Sequence, residues 1–275
     1  MNRRPPFAVA PLALLVTMSF AADKAADPVP LIHIHAHNDY EHVHPLFDAL
    51  ACGICSVEAD IHLVDGKLLV AHSRSQVNPD RTLQSLYLDP LRKRIIENGG
   101  RVYHGGPTVV LLIDFKSDPK AMYPVLRDVL RQYADILTTW ENETEKQGAI
   151  KAILTGDHPA ESVLAAEKIR YAAIDGQLPD LETNPPAALV PWISSEWGKT
   201  FHWRGKGVFP ADDQRRLRQF VEKAHAQHRQ LRFWGAPDDE TTWAAMRDAG
   251  VDLINTDLLP EAQQFLLRRH DTAQD

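Results

Sequence analysis

Short apolar runs alternate along the chain with stretches whose apolar residues recur at helical spacing. The strand-like runs fall at 31–37, 56–63, 108–115, 149–155, 170–174, 189–194, 230–234 and 252–256. Asp65-Gly66 follows the second as a hairpin signal, with a short return at 67–71. The run at 108–115 is continuously apolar, as in a strand covered on both faces. Helical patterns occupy 45–51, 83–98, 119–139, 160–168, 212–228 and 240–249, and several start after Asp, Ser or Pro and stop near Gly. Strands alternating with helices predict βα units around a parallel sheet. At 275 residues the chain suits a single-domain (β/α)8 TIM barrel. Long segments at 73–82, 176–188 and 195–211 follow the second, fifth and sixth strands, where such a barrel builds its active face. No internal repeat, low-complexity tract or linker divides the chain, and residues 270–275 are expected to fray.

The polar residues follow the two-residue period of a strand. His33, His35 and His37 share one face of the first run, opposite Ile32, Ile34 and Ala36. Glu58, Asp60 and His62 oppose Val57, Ala59 and Ile61 in the second, and Asp114 and Lys116 oppose Ile113 and Phe115 in the third. The apolar set faces the helices, so the polar set points into the barrel mouth. Three carboxylates converging there repel one another, and a bound cation resolves the repulsion. Oxygen ligands suit one divalent ion, Mg2+ or Ca2+. Otherwise Glu58 and Asp60 form ion pairs with nearby basic side chains. His37 and His72 close the first strand and the hairpin return, and two imidazoles beside a metal suit phosphodiester cleavage. Most of the 13 histidines have structural or surface roles.

Composition narrows the partners. The formal charge is −7, and a mildly acidic surface argues against nucleic acid. Arg3, Arg4 and the apolar stretch to Phe20 read as a signal peptide over residues 1–21, cut after Ala21, with the domain at 22–275. Losing the two arginines takes −7 to −9. That reading predicts an exported, periplasmic or extracellular protein with no transmembrane segment in the mature chain. Cys52 and Cys55 form a C-x-x-C that joins a helix end to a strand, unlike a thioredoxin motif, which leaves a local disulfide and two structural thiols both open. Oligomeric state is not legible.

Residues 31–116 resemble the PLC-like phosphodiesterase superfamily, which includes glycerophosphodiester phosphodiesterases, bacterial phosphatidylinositol-specific phospholipases C, the sphingomyelinase D group and the altered-inheritance-of-mitochondria type. The resemblance rests on His37-Asn38-Asp39, Val57-Glu58-Ala59-Asp60, Leu69-Val70-Ala71-His72 and Leu112-Ile113-Asp114-Phe115-Lys116, with echoes at Phe233-Trp234 and at 250–257. It implies that Glu58, Asp60 and Asp114 hold the metal and that His37 and His72 form the acid/base pair. It further implies that Lys116 contacts the phosphate, that Asn38 binds substrate, and that Trp234 lines the pocket of a small-molecule or lipid phosphodiester. The chain departs from glycerophosphodiesterases in lacking His-Arg-Gly and Glu-Asn-Thr, and Asp114 replaces their usual third glutamate in an Asp-x-Lys form like that of the sphingomyelinase D group. Two rivals stand beside this reading. H-x-H on the first strand with Asp257 after the last resembles metal-dependent amidohydrolases. The changed ligand and missing arginine suit a catalytically degenerate binding protein.

Overall fold

The computed structural model describes Met1, residues 27–141 and residues 144–270, so the expected leader lies outside the described residues. Eight strands form the barrel: β1 (Ile34–Ala36), β2 (Ser56–Val64), β3 (Val109–Phe115), β4 (Ile150–Gly156), β5 (Ala173–Gln177), β6 (Trp192–Glu196), β7 (Gln230–Trp234) and β8 (Leu253–Thr256). All neighbours pair in parallel, and β1 bonds to both β8 and β2, which closes the cylinder. The return Lys67–Val70 pairs antiparallel with the outer half of β2.

Nine helices among the described residues surround it: α1 (Phe47–Ala51), α2 (Asp89–Glu97), α3 (Pro119–Arg131), α4 (Glu161–Ala165), α5 (Asp180–Thr183), α6 (Trp197–Thr200), α7 (Ala211–Ala226), α8 (Glu240–Ala249) and α9 (Leu259–His270). Their starts follow local chemistry. Asp118 caps α3 by accepting the Lys120 N–H, with Pro119 behind it; Asp239 caps α8 through the Thr242 N–H.

The alternation of the strands sorts the interior into layers. Val57, Ala59, Ile61, Leu111, Ile113 and Phe115 point outward and are buried under the helices. Inward, Leu112, Ile153, Ala173, Trp192 and Leu253 form a separate apolar cluster, completed by Trp140. Two residues further along the same strands stand Asp114, Thr155, Asp175, Ser194 and Asn255. Register aligns Asp60 with Asp114 and Asp114 with Thr155. The polar mouth therefore rests on an apolar floor.

Two stretches differ from the pattern-based expectation. The helical period continues through 139, but α3 ends at Arg131; Thr139–Glu141 instead joins Thr144–Lys146 and Ile169–Arg170 in a small antiparallel sheet. Trp140 decides the matter, because it is 2% exposed and has the Arg170 guanidinium 4.2 Å above its ring. The expected strand 170–174 is split accordingly, with Ile169–Arg170 in the small sheet and the barrel strand starting at Ala173. The helix expected at 160–168 shortens to α4. No helix among the described residues is long and apolar enough to cross a membrane. Cys52 and Cys55 are both free thiols, and burial pushes the Cys55 thiol up to about 12.

Candidate active site

The carboxyl ends of the strands surround a cavity of about 640 Å³, whose lining includes His37, Asn38, Glu58, His72, Asp114, Lys116 and Trp234. One oxygen each from Glu58, Asp60 and Asp114 lies within 4.8 Å of the others. Asp60 Oδ1 and Asp114 Oδ1 are buried without a hydrogen-bond partner, which suits oxygens able to ligate a cation. Burial and the neighbouring Asp114 push Asp60 up to about 6, and burial likewise raises Asp114. Burial opposes charge on Glu58 too, but the hydrogen bond from His35 and the Arg232 charge outweigh it and hold Glu58 down at about 2.

Lys116 Nζ stands 2.7 Å from Asp114 Oδ2 and 3.2 Å from Asp60 Oδ2. These acids hold the ammonium above its usual range against the effect of burial. Arg232, 3% exposed, reaches inward from β7: Nη1 bonds Asn255 Oδ1 at 2.9 Å, Nε bonds Ser194 Oγ at 3.0 Å, and Nη2 lies 3.5 Å from Asp175 Oδ2. It also lies 3.9 Å from Glu58 Oε2. Four acids (Glu58, Asp60, Asp114, Asp175) against Lys116 and Arg232 leave two negative charges, which one divalent cation balances. The donor set, the orphaned oxygens and the charge all fit such an ion.

The histidines are anchored differently. His37 Nδ1 lies 2.8 Å from Asp257 Oδ1 and 3.1 Å from the Asn38 amide. Burial pulls His37 down, but the Asp257 hydrogen bond and the Glu58 charge leave it raised. His72 Nδ1 lies 3.1 Å from the Tyr40 hydroxyl and 3.4 Å from Asp60 Oδ2. His35 belongs to the interior: Nδ1 meets Ser56 Oγ at 2.7 Å, Nε2 meets Glu58 Oε2 at 3.2 Å, and burial drives its pKa to about 4. His33 is exposed and bonds the Asp252 carbonyl. The H-x-H histidines thus do not share one site, and the candidate ligand group among the described residues contains no imidazole. Trp234, 38% exposed, stands at the rim rather than in the core.

The mouth therefore gathers His37, Glu58, Asp60, Asp114 and Lys116 of the residues that strand alternation singled out, with Lys116 sitting on the acids, whereas His33 is exposed, His35 lies in the interior and His62 bonds the Ala71 carbonyl. Sequence reasoning missed Arg232, Asp175 as a buried counter-charge, and Tyr40. Arg232 carried a signal, since it alternates with Leu231 and Phe233.

A closed βα barrel with an acidic mouth beneath two imidazoles defines a TIM barrel of the phosphodiesterase kind. The comparisons agree. Residues 23–175 match the AIM6-like phosphodiesterase domain, and residues 230–260 match the glycerophosphoryl diester phosphodiesterase family. The chain is 30% identical over 281 residues to Altered inheritance of mitochondria protein 6 of Eremothecium gossypii, covering 89% of this chain and 72% of that protein. It is 28% identical to the homologue from Arthroderma benhamiae, covering 86% of this chain and 84% of that one. A glycerophosphodiester phosphodiesterase from Parabacteroides distasonis shares the fold, with a TM-score of 0.51 at 14% identity over 89% of this chain and 98% of that one. The chain belongs to the AIM6-like phosphodiesterase family, within the glycerophosphodiester phosphodiesterase-like superfamily. The same relatives correct the expectation of export: their name ties them to mitochondrial inheritance, not to secretion, and the periplasmic or extracellular assignment is withdrawn.

Proposed function

We propose that the chain hydrolyses phosphodiesters by acid/base catalysis between His37 and His72, with Glu58, Asp60 and Asp114 holding one divalent cation, Mg2+ or Ca2+. One observation carries the reading: three carboxylates converge within 4.8 Å beside a cavity that both histidines line. The bound ion supplies positive charge for the phosphate oxygens. Lys116, a flexible point charge, adds to it. Asn38, beside His37 in the cavity lining, takes part in substrate binding, and the Trp234 ring suits the alcohol group at the rim. One imidazole takes the proton of the attacking oxygen, either water or a hydroxyl of the substrate, and the other protonates the departing oxygen. Asp257 orients His37 for this exchange. Phosphorus NMR tests the reading on a panel of glycerophosphodiesters and phospholipids with Mg2+ or Ca2+. New monoester or cyclic phosphate resonances are expected, abolished by chelator and slowed about 10²–10⁴-fold in His37→Ala and His72→Ala. An unchanged spectrum for the whole panel overturns it.

A further inference from the structure

Tyr40 stands in the turn after β1, within the short helical segment Asp39–Glu41, and is 2% exposed. Its hydroxyl oxygen lies 2.7 Å from Asp60 Oδ2, 2.7 Å from the Asn38 side chain and 3.1 Å from His72 Nδ1. A phenol has one proton to donate. Asp60 Oδ2 also faces Lys116 Nζ at 3.2 Å, so this oxygen accepts. Two oxygens 2.7 Å apart need a proton between them, and a carboxylate that accepts has none to give. The hydroxyl proton is thus committed to oxygen. His72 Nδ1 must bring its own. Turning the Asn38 amide either way leaves this conclusion unchanged.

We propose that Tyr40 is a positioning residue that fixes the proton of neutral His72 on Nδ1 and leaves Nε2 as the nitrogen that exchanges a proton with the substrate. The catalytic consequence rests on the phosphodiesterase reading; the tautomer does not. When His72 acts as base, the O–H bond of the attacking oxygen breaks and an Nε2–H bond forms. Nδ1 keeps its proton throughout, and so does Tyr40. Because the same hydroxyl holds Asp60, the imidazole and the carboxylate share one fixed point.

Nitrogen-15 NMR of the full, histidine-labelled chain tests this directly, with and without Mg2+, at a pH where the ring is neutral. His72 is identified by its absence in His72→Gln. The expected spectrum shows a protonated Nδ1 and a bare Nε2 in the unaltered chain. In Tyr40→Phe the two signals move toward a tautomer mixture, and kcat falls about 10–100-fold with little change in KM. A proton on Nε2 in the unaltered chain overturns the proposal, whether or not Tyr40→Phe folds. So does a Tyr40→Phe spectrum identical to that of the parent. Absence of phosphodiester turnover with the expected spectrum overturns the reaction instead and leaves the tautomer standing.

Discussion

A β-carbon on residue 156 would lie 2.0 Å from Asp114 Oδ1, so the carboxylate keeps its place because the facing strand end is a glycine. Gly156 also has φ +70, where a side chain is strained. Gly156→Ala is expected to lose about 1–2 kcal/mol from the backbone alone, and to displace Asp114 besides. Gly207→Ala is the control, since its φ is +69 but nothing lies within 4 Å of the added carbon. Urea unfolding and divalent-ion titration of both variants check the difference: only Gly156→Ala should weaken ion binding.

Arg232 links the two halves of the polar layer. Arg232→Met should destabilise the barrel by about 3–5 kcal/mol, because it leaves Glu58 and Asp175 buried without their counter-charge. Arg232→Lys should recover part of that, since one ammonium cannot span Ser194, Asn255 and both acids. Saturating Mg2+ should raise the melting temperature of Arg232→Met more than that of the parent.

The pH dependence of stability should carry a mark of Asp39. This buried residue accepts from the Leu46 N–H and the Tyr87 hydroxyl, yet burial raises its carboxyl from 3.8 to about 6. The unfolded chain releases this proton near 3.8 and the folded chain only near 6. The folded state binds more protons in between, so stability falls as pH rises through that window, by about 3 kcal/mol from this group. Asp39→Asn keeps an acceptor for both donors and should flatten that part of the curve. Urea midpoints measured from pH 4 to 7 test it, with an unchanged slope as the contrary result.

Asp257 raises His37 through the 2.8 Å contact. Asp257→Asn removes that support, so the limb of the pH–rate profile set by His37 should move to lower pH. A limb that stays in place would detach Asp257 from the chemistry.

The acids and His37 were legible because strands impose a period of two, and Glu58, Asp60 and Asp114 could not share a face with Val57 and Ile113; His72 was legible from its place at the end of the hairpin return. The barrel was legible for the same reason. Arg232 obeys that rule equally, but an arginine between Leu231 and Phe233 is ordinarily placed outward, and only the acids of distant strands explain why it turns in. Tyr40 sits in a turn, where no periodicity says which way a side chain points. The end of α3 was hidden because Leu137 and Trp140 extend a helical spacing that pairing with Glu145 and Arg170 overrides. The helix at 259–270 carries a helical pattern too, with Leu259, Ala262 and Phe265 all buried.

After β6, Trp197, Phe201, Trp203 and Phe209 cluster at ring-centroid distances of 4.6–6.4 Å, with Trp203 and Phe209 stacked, and Trp197 also meets Phe233 edge-on at 5.6 Å. An aromatic buttress of this kind lets a tip it carries at the cavity wall, Lys199, be exchanged by evolution or by an engineer without loosening the acids below. On the proposed phosphodiesterase reading, the cavity wall at Lys199 is where the preference for the alcohol half of a substrate would be altered with the acids left unchanged.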